Sequence, residues 1–158
     1  MSGIDDAPTT ATERLWRQHA DELLRFATVL VGPSDASDIV VDAFLRCGPD
    51  IATPGIDNQR AYLFRAVSNR ALDLRRARQR RWKRDLAAIL PATSASPDPL
   101  VDVRRAVAAL SVAQRAVVYL VYWEDNTERS AADILQISPG TVRRHLTRAR
   151  NHLRKALR

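Results

Sequence analysis

A helix near the end of the chain carries arginines at a spacing that would let them contact DNA bases. Between Pro139 and Leu157 apolar residues recur every three or four positions, which predicts an amphipathic helix. The opposite face then carries polar and small residues: Gly140, Arg143, Arg144, Thr147, Arg148 and Asn151. Arginine forks can bond guanine edges in a major groove, and a threonine hydroxyl can contact a base or a phosphate. The alternative is an ordinary solvated helix with outward charges.

The residues that precede this helix predict a helix-turn-helix. Ser138 is suited to cap the helix, and Pro139 suits its first position. A preceding helix is predicted from Glu128 to Leu135, so Gln136 to Ser138 form the turn. Because the turn, the cap and the single sign of charge occur together, DNA recognition is favoured over the solvated helix.

A second group of residues could bind nucleic acid between Arg60 and Arg84. A third helix there turns Leu63, Val67, Ala71 and Leu74 inward and Arg65, Asn69, Asp73 and Arg76 outward, and a dense arginine tract follows. The segment mixes arginines with Tyr62, Phe64, Asn69 and Trp82, which suits single-stranded bases as well as phosphates. Each of the three aromatic residues by itself fits a core or helix-end position better, and an inert basic surface is the alternative.

A third group of residues indicates a protein partner. The second helix, predicted from Asp35 to about Arg46, has one apolar face for the core: Ala36, Ile39, Val40, Ala43, Phe44 and Cys47. Val41 and Leu45 stand four residues apart away from this face, between Asp38 and Asp42. This pattern predicts an exposed apolar and acidic patch. Alternatively, the first helix or the linker covers it.

Composition narrows the classes of function. The chain has 158 residues and a net charge of +7, which favours a polyanionic partner. Cys47 is the only cysteine, which excludes an internal disulfide, and we expect it to be buried. The histidines are scattered and no catalytic grouping stands out, so we expect no metal, no cofactor, no small-molecule substrate and no enzyme activity. The polar N-terminus and the lack of a long apolar run predict a soluble, cytoplasmic protein without membrane insertion.

The order of the predicted elements indicates an all-α fold of two small domains. A first helix from about Thr12 to Val31 precedes the second and third helices, and Gly48 to Asn58 is predicted to be a loop. Pro91 to Pro99 has the composition of a linker. A short helix from Leu100 to Leu110 and another that begins after Ser111 complete the second domain. The predicted divisions are a disordered segment 1–11, a first domain 12–84, a linker 85–103 and a second domain 104–158.

Four segments together resemble an extracytoplasmic-function sigma factor of the sigma-70 family. They are Asp35 to Arg46, Arg60 to Arg76, Ala109 to Arg115 and Ile137 to Arg143, in the order and spacing of that family. The resemblance extends from about Thr12 to the end of the chain. It implies a sigma-two domain that binds the polymerase clamp and opens the minus-ten element, and a sigma-four domain that reads the minus-thirty-five element.

The resemblance also implies roles for particular residues. The polymerase-binding set is Asp38, Val41, Asp42 and Leu45, and the minus-ten set is Asn69, Asp73 and Arg76. The minus-thirty-five set is Arg143, Arg144, Thr147 and Arg148. The Gly48 to Asn58 loop is where this family captures an unstacked base. The implied partners are core RNA polymerase, promoter DNA and an anti-sigma factor, and the implied regulon concerns stress or the envelope.

The sequence departs from the family pattern at three positions. Val41 stands where glutamine is common, Tyr62 where tryptophan is common, and Gln136 where the turn usually has glycine. A non-glycine residue in a left-handed turn costs roughly 1 kcal/mol. The competing interpretation is a free-standing helix-turn-helix regulator that binds duplex DNA without polymerase, commonly as a dimer. A sigma factor is favoured because both halves carry basic surfaces and a flexible linker joins them.

Overall fold

The computed structural model of the chain describes residues 10–51, 58–85 and 99–157, apart from the side chains of residues 48–49, 82–85 and 99–102. The helices are α1 (Ala11–Val31), α2 (Pro33–Ile51), α3 (Gln59–Asp85), α4 (Pro99–Ala108), α5 (Val112–Val118), α6 (Glu128–Leu135) and α7 (Pro139–Ala156). A π-helical turn, Tyr119–Trp123, continues α5. These described residues confirm the all-α prediction. Of the predicted disordered segment only residues 10 and 11 are described, and of the predicted linker 85–103 residues 86–98 lie outside the described residues, whereas Asp85 ends α3 and residues 99–103 lie in α4.

Helix α1 begins and ends at strong local signals. The Thr10 hydroxyl accepts a hydrogen bond from the Glu13 backbone at 3.2 Å, and the Glu13 carboxylate accepts one from the Thr10 backbone at 3.0 Å. This reciprocal cap fixes the first turn. Gly32 ends the helix at a φ of 87°, a left-handed conformation that favours glycine. The next helix therefore starts directly at Pro33.

Helix α2 confirms the predicted core face but is longer than predicted. All six residues assigned to that face are buried. The prediction of a loop from Gly48 onward is wrong as far as Ile51, because the helix continues to that residue. Ile51 lies one turn beyond Cys47, both side chains are buried, and Gln59 donates a hydrogen bond to the Ile51 carbonyl at 3.1 Å. Tertiary burial thus overrides the helix-breaking composition. Residues 52–57 of the predicted loop lie outside the described residues.

The first three helices enclose an aromatic and aliphatic core. The rings of Phe26 on α1 and Phe64 on α3 lie 5.0 Å apart between their centroids. Leu63, Val67 and Ala71 are fully buried, as predicted, whereas Leu74 is half-buried. Phe64 is therefore a core residue and is not available to stack on a base. The side chain of Trp82 lies outside the described residues.

Helices α4 to α7 form a second group around the predicted helix-turn-helix. Ser111 and Gln114 form the predicted reciprocal cap of α5, and the Ser138 hydroxyl caps α7 by accepting from the Thr141 backbone at 3.1 Å. On α7 the side chains of Val142, Leu146 and Ala149 are buried: they hold the helix against the rest of the group. Local capping and periodicity predicted these elements to within about two residues.

The two helical groups are packed against each other. The rings of Phe26 on α1 and Tyr119 after α5 lie 5.1 Å apart, and Arg115 donates to the Val29 carbonyl at 3.3 Å. Buried residues of both groups belong to one continuous cluster. The domain divisions stay predictions.

One arginine neutralises two carboxylates at this junction. The Arg60 guanidinium on α3 lies 2.8 Å from Glu22 on α1 and 2.5 Å from Glu124 after the π-turn. Burial of the Glu22 carboxylate acts to raise its pKa, but hydrogen bonds from Arg60 and His19, together with their charges, outweigh this, so the pKa lies below its ordinary value. Arg60 therefore links three elements from both groups.

Replacing Arg60 with alanine is expected to lower the free energy of unfolding by about 1–2 kcal/mol at pH 7, because two half-enclosed carboxylates lose their cation. The folded pKa of Glu22 is lowered from 4.5, so its stabilising contribution is complete above that pH and is lost as the pH falls through the folded pKa. Urea titrations should therefore show the difference from wild type shrinking below about pH 4.5.

Arg17→Ala is the matched control for this experiment. Arg17 is exposed on α1, and its replacement removes the same charge without touching the junction. The ion-pair interpretation would be contradicted if Arg60→Ala lowered the free energy of unfolding only as much as Arg17→Ala does. It would also be contradicted if the loss for Arg60→Ala stayed the same at low pH.

The turn between α6 and α7 contains a residue in a left-handed conformation. Gln136 has φ 55° and ψ 45°, and its backbone N–H bonds back to the end of α6. We expect Gln136→Gly to raise the free energy of unfolding by about 0.5 kcal/mol, because removing Cβ relieves roughly 1 kcal/mol of strain while the unfolded chain gains freedom. Thermal and urea unfolding measure this change. Gln136→Ala retains Cβ and should bring no gain; an equal gain for both variants would locate the effect in the side-chain amide instead.

Candidate nucleic-acid interface

The predicted minus-thirty-five set lies on the outward face of α7. All four of its residues are exposed, and the Arg143 side chain retains 74% of its accessible surface. Arg143 pairs with Glu128 on α6 at 3.2 Å, and Arg144 donates to the Thr141 hydroxyl at 3.0 Å. Thr147 donates its hydroxyl proton to the Arg143 carbonyl at 2.9 Å. Two guanidinium groups are thus held near the N-terminal half of the helix, where a recognition helix meets base edges.

The electrostatic character of α7 is strongly positive. The helix contains no acidic residue. Burial, and then the charges of Arg148 and Arg144, lower the pKa of His145 below its ordinary value. The imidazole is therefore neutral at pH 7, and arginines supply the positive charge of this face.

A neighbouring aromatic residue was not predicted from the sequence as part of this surface. Arg150 on α7 donates from Nε to the Tyr122 hydroxyl at 2.7 Å, and its guanidinium lies 5.6 Å from the centre of the Tyr122 ring. Tyr122 and Trp123 are both exposed on the π-helical turn. The sequence predicts an ordinary helix after Ser111 and gives no sign of the π-turn, which shifts the side chains that face outward.

The predicted minus-ten set lies on one exposed side of α3. Asn69, Asp73 and Arg76 are all exposed. The Asp73 carboxylate is not free: it accepts a hydrogen bond from Arg70 at 3.3 Å and lies 3.8 Å from Arg76. This side of α3 therefore exposes the Asn69 amide beside the Asp73 carboxylate, which Arg70 and Arg76 share.

Three residues of the predicted polymerase-binding set, Asp38, Val41 and Leu45, are exposed on α2, and Asp42 is half-buried. Val41 retains 41% and Leu45 retains 74% of its accessible surface, so neither α1 nor any other described residue covers this patch. Asp38 is exposed beside it, and Asp42 pairs with Arg46 at 3.2 Å. An apolar strip flanked by carboxylates therefore faces outward, as the spacing predicted.

Arg70 joins these last two surfaces. It forms an ion pair with Asp42 on α2 and bonds Asp73 on its own helix. The two pairs line a groove of about 490 Å³ between α2 and α3. The spacing of Arg70 and Asp73 is visible in the sequence, but the contact with Asp42 depends on how the helices pack. The structure thus brings the polymerase-binding and minus-ten sets together, whereas the minus-thirty-five set lies in the other helical group.

Two absences apply to the described ranges only. No group of three side chains there has the composition of a metal site. No helix within those ranges is long and apolar enough to cross a bilayer.

The sequence matches characterised families along most of its length. The family described as Sigma-70 region 2 matches residues 15–81, and that described as Sigma-70, region 4 matches residues 100–153. The ECF RNA polymerase sigma factor SigM of Mycobacterium tuberculosis is 30% identical over 151 residues, which cover 93% of this chain and 77% of the relative. SigL of the same species is 29% identical over 167 residues, with coverage of 99% and 94%.

Solved structures show the same fold. The sigma factor RpoE of Bartonella quintana, solved in complex with the anti-sigma factor NepR, aligns with a TM-score of 0.72 at 24% identity over 92% of this chain and 95% of that chain. CnrH in complex with the cytosolic domain of CnrY aligns with a TM-score of 0.62 at 24% identity, over 93% and 87%. On the family matches and the relatives together, this chain belongs to the extracytoplasmic-function sigma factors of the sigma-70 family.

Proposed function

We propose that this chain binds core RNA polymerase through α2 and directs it to promoters that α3 and α7 recognise. The observation that carries the proposal is the double contact of Arg70 with Asp42 and Asp73. It joins an exposed apolar strip, suited to a protein, to an exposed polar side suited to unpaired DNA. A factor that couples polymerase binding to strand opening needs these two surfaces on one rigid helix pair.

Each residue set has a chemical task in this proposal. Val41 and Leu45 bury apolar surface against the polymerase clamp, and Asp38 and Asp42 supply complementary charge. Asn69, Asp73 and Arg76 contact the minus-ten element, where an amide and guanidinium groups can bond exposed bases and phosphates. The α7 face reads the minus-thirty-five element as a duplex: Arg143, Arg144, Thr147 and Arg148.

The free-standing regulator is not favoured. Such a regulator gives no reason for an apolar strip on α2 that stays exposed among the described residues, and the family matches cover both halves of the chain. Sigma factors are transcription regulators rather than enzymes. We further propose that the protein acts in the cytoplasm at the nucleoid, that an anti-sigma factor restrains it, and that its regulon concerns stress or the envelope.

Reconstitution with bacterial core polymerase tests the proposal directly. The purified chain should co-elute with the core enzyme and support promoter-dependent transcripts that the core alone does not make. Tight binding of the chain alone to a two-fold duplex site, without any affinity for the core enzyme, would instead support the regulator.

The double change Val41→Glu and Leu45→Glu is expected to abolish polymerase binding without unfolding the protein. Both side chains are exposed, so helicity and binding to a minus-thirty-five duplex should be preserved. At the polymerase interface the new carboxylates would be buried beside two existing aspartates, with a penalty of roughly several kcal/mol if unpaired. Affinity for the core enzyme and transcription should therefore fall together.

Leu24→Glu is the matched control, because Leu24 retains 42% of its surface on α1, close to the value for Val41. It should keep its affinity for the core enzyme. Unchanged polymerase affinity in a folded double variant would show that α2 is not the contact surface.

Arg144 and Arg150 are expected to differ in how their loss affects DNA binding. Arg144→Ala should weaken recognition of the minus-thirty-five element by about 1–3 kcal/mol and relax base preference, because a forked guanine contact is lost. Arg150 is engaged by Tyr122, so Arg150→Ala should weaken binding to all sequences similarly. Binding titrations on a panel of duplexes with single base changes measure both. Equal, sequence-blind losses would remove the base contact assigned to Arg144.

A further inference from the structure

A groove between the two helical groups is walled by arginines. It has a volume of about 300 Å³ and lies among the end of α1, the middle of α3 and the start of α5. Its polar wall consists of Arg75, Arg78, Gln79 and Arg115. None of the described residues that line it is acidic. The groove therefore concentrates positive charge at a junction of two packed surfaces.

Arg115 is the most enclosed of these cations. One of its terminal nitrogens donates to the Val29 carbonyl at 3.3 Å, while its Nε is buried without a hydrogen-bond partner in the part of the chain that the structure describes. Burial, followed by the charge of Arg75, lowers its pKa. A guanidinium nevertheless remains charged at neutral pH. Arg115 thus retains donor capacity that the protein does not use.

The other two arginines differ in their pairing. Arg78 bonds Asp35 on α2 at 2.7 Å, so most of its charge is compensated. Arg75 has no carboxylate partner within the described ranges and repels Arg115. Two cations therefore face one groove without a counter-charge, an arrangement that an oxyanion would relieve.

The rest of the lining favours a ligand that carries an apolar body in addition to an oxyanion. Leu30 and Val112 are buried and form apolar floor beneath the arginines. The volume lies at the lower end of the range of ligand pockets, roughly 300–1,000 Å³, and exceeds what one phosphate needs. We propose that this groove binds a phosphorylated small molecule of about nucleotide size, with phosphate oxygens on Arg75 and Arg115 and its body on the apolar floor.

The groove is separate from the proposed minus-ten surface. At 100° per residue, Arg75 and Arg78 lie roughly 120–170° around α3 from the side that carries Asn69, Asp73 and Arg76. A ligand in the groove would touch α1, α3 and α5 together, so it would favour the packed arrangement of the two groups. Its binding does not require polymerase or promoter DNA, and the proposal stands apart from the proposed function.

Calorimetric titration of the full chain with ADP and with pyrophosphate, at constant ionic strength, tests the site. Saturable binding of ADP at one site is expected, with weaker binding of pyrophosphate because it lacks a body for the apolar floor. Arg75→Gln should raise the ADP dissociation constant about tenfold, since it removes a charge-assisted bond. Arg115→Gln should do the same, and ADP should raise the melting temperature of the wild type more than that of either variant.

Arg76→Gln is the matched control: it removes the same charge at the next position, roughly 100° around α3 and outside the groove lining, and should retain ADP affinity. Because Arg75 is exposed, Arg75→Gln should stay folded, so it still tests the site if Arg115→Gln unfolds. Equal weakening by Arg75→Gln and Arg76→Gln, or binding of sulfate as tight as that of ADP, would overturn the site. If the affinity for a single-stranded oligonucleotide depended on Arg75 and Arg115 while the affinity for ADP did not, the small-molecule assignment would be overturned.

Discussion

The junction of the two helical groups depends on a single guanidinium. Glu22 belongs to the first helical group and Glu124 to the second, and the carboxylates of both are largely enclosed at the junction where Phe26 meets Tyr119. Two enclosed anions at short range repel each other unless a cation lies between them. Arg60 supplies that cation and so stabilises the closed arrangement, in which the apolar surfaces of both groups pack against one another.

The α2–α3 pair shows how charge can join surfaces with different tasks. Its apolar contacts hold the helices together, and Arg70 adds a polar link between their outer faces, because it contacts one aspartate on each helix. A protein that binds α2 would compete for Asp42 and so change the charge around Asp73. In the proposed function, communication between the polymerase-binding set on α2 and the minus-ten set on α3 then needs no large movement.

Local chemistry explains what the sequence could predict. The bounds of α6, the caps at Ser111 and Ser138, the core face of α2 and the exposure of Val41 and Leu45 all follow from spacing and side-chain type within a few residues. The same local signals failed at Gly48, since burial of Ile51 extends the helix. The partners of Arg60 and Arg115 lie tens of residues away, and no periodicity encodes such contacts.

The packing of α5 against α1 and α3 limits how far the molecule can reach along DNA. A minus-ten and a minus-thirty-five element differ by ~25 base pairs, which is ~85 Å of duplex at 3.4 Å per pair. A closely packed chain of this length has a radius of gyration of only ~15 Å. In the proposed function, the α3 and α7 surfaces can therefore occupy both elements only after the junction has opened. The strength of the Arg60 junction then sets what fraction of the molecules is extended enough to bridge a promoter.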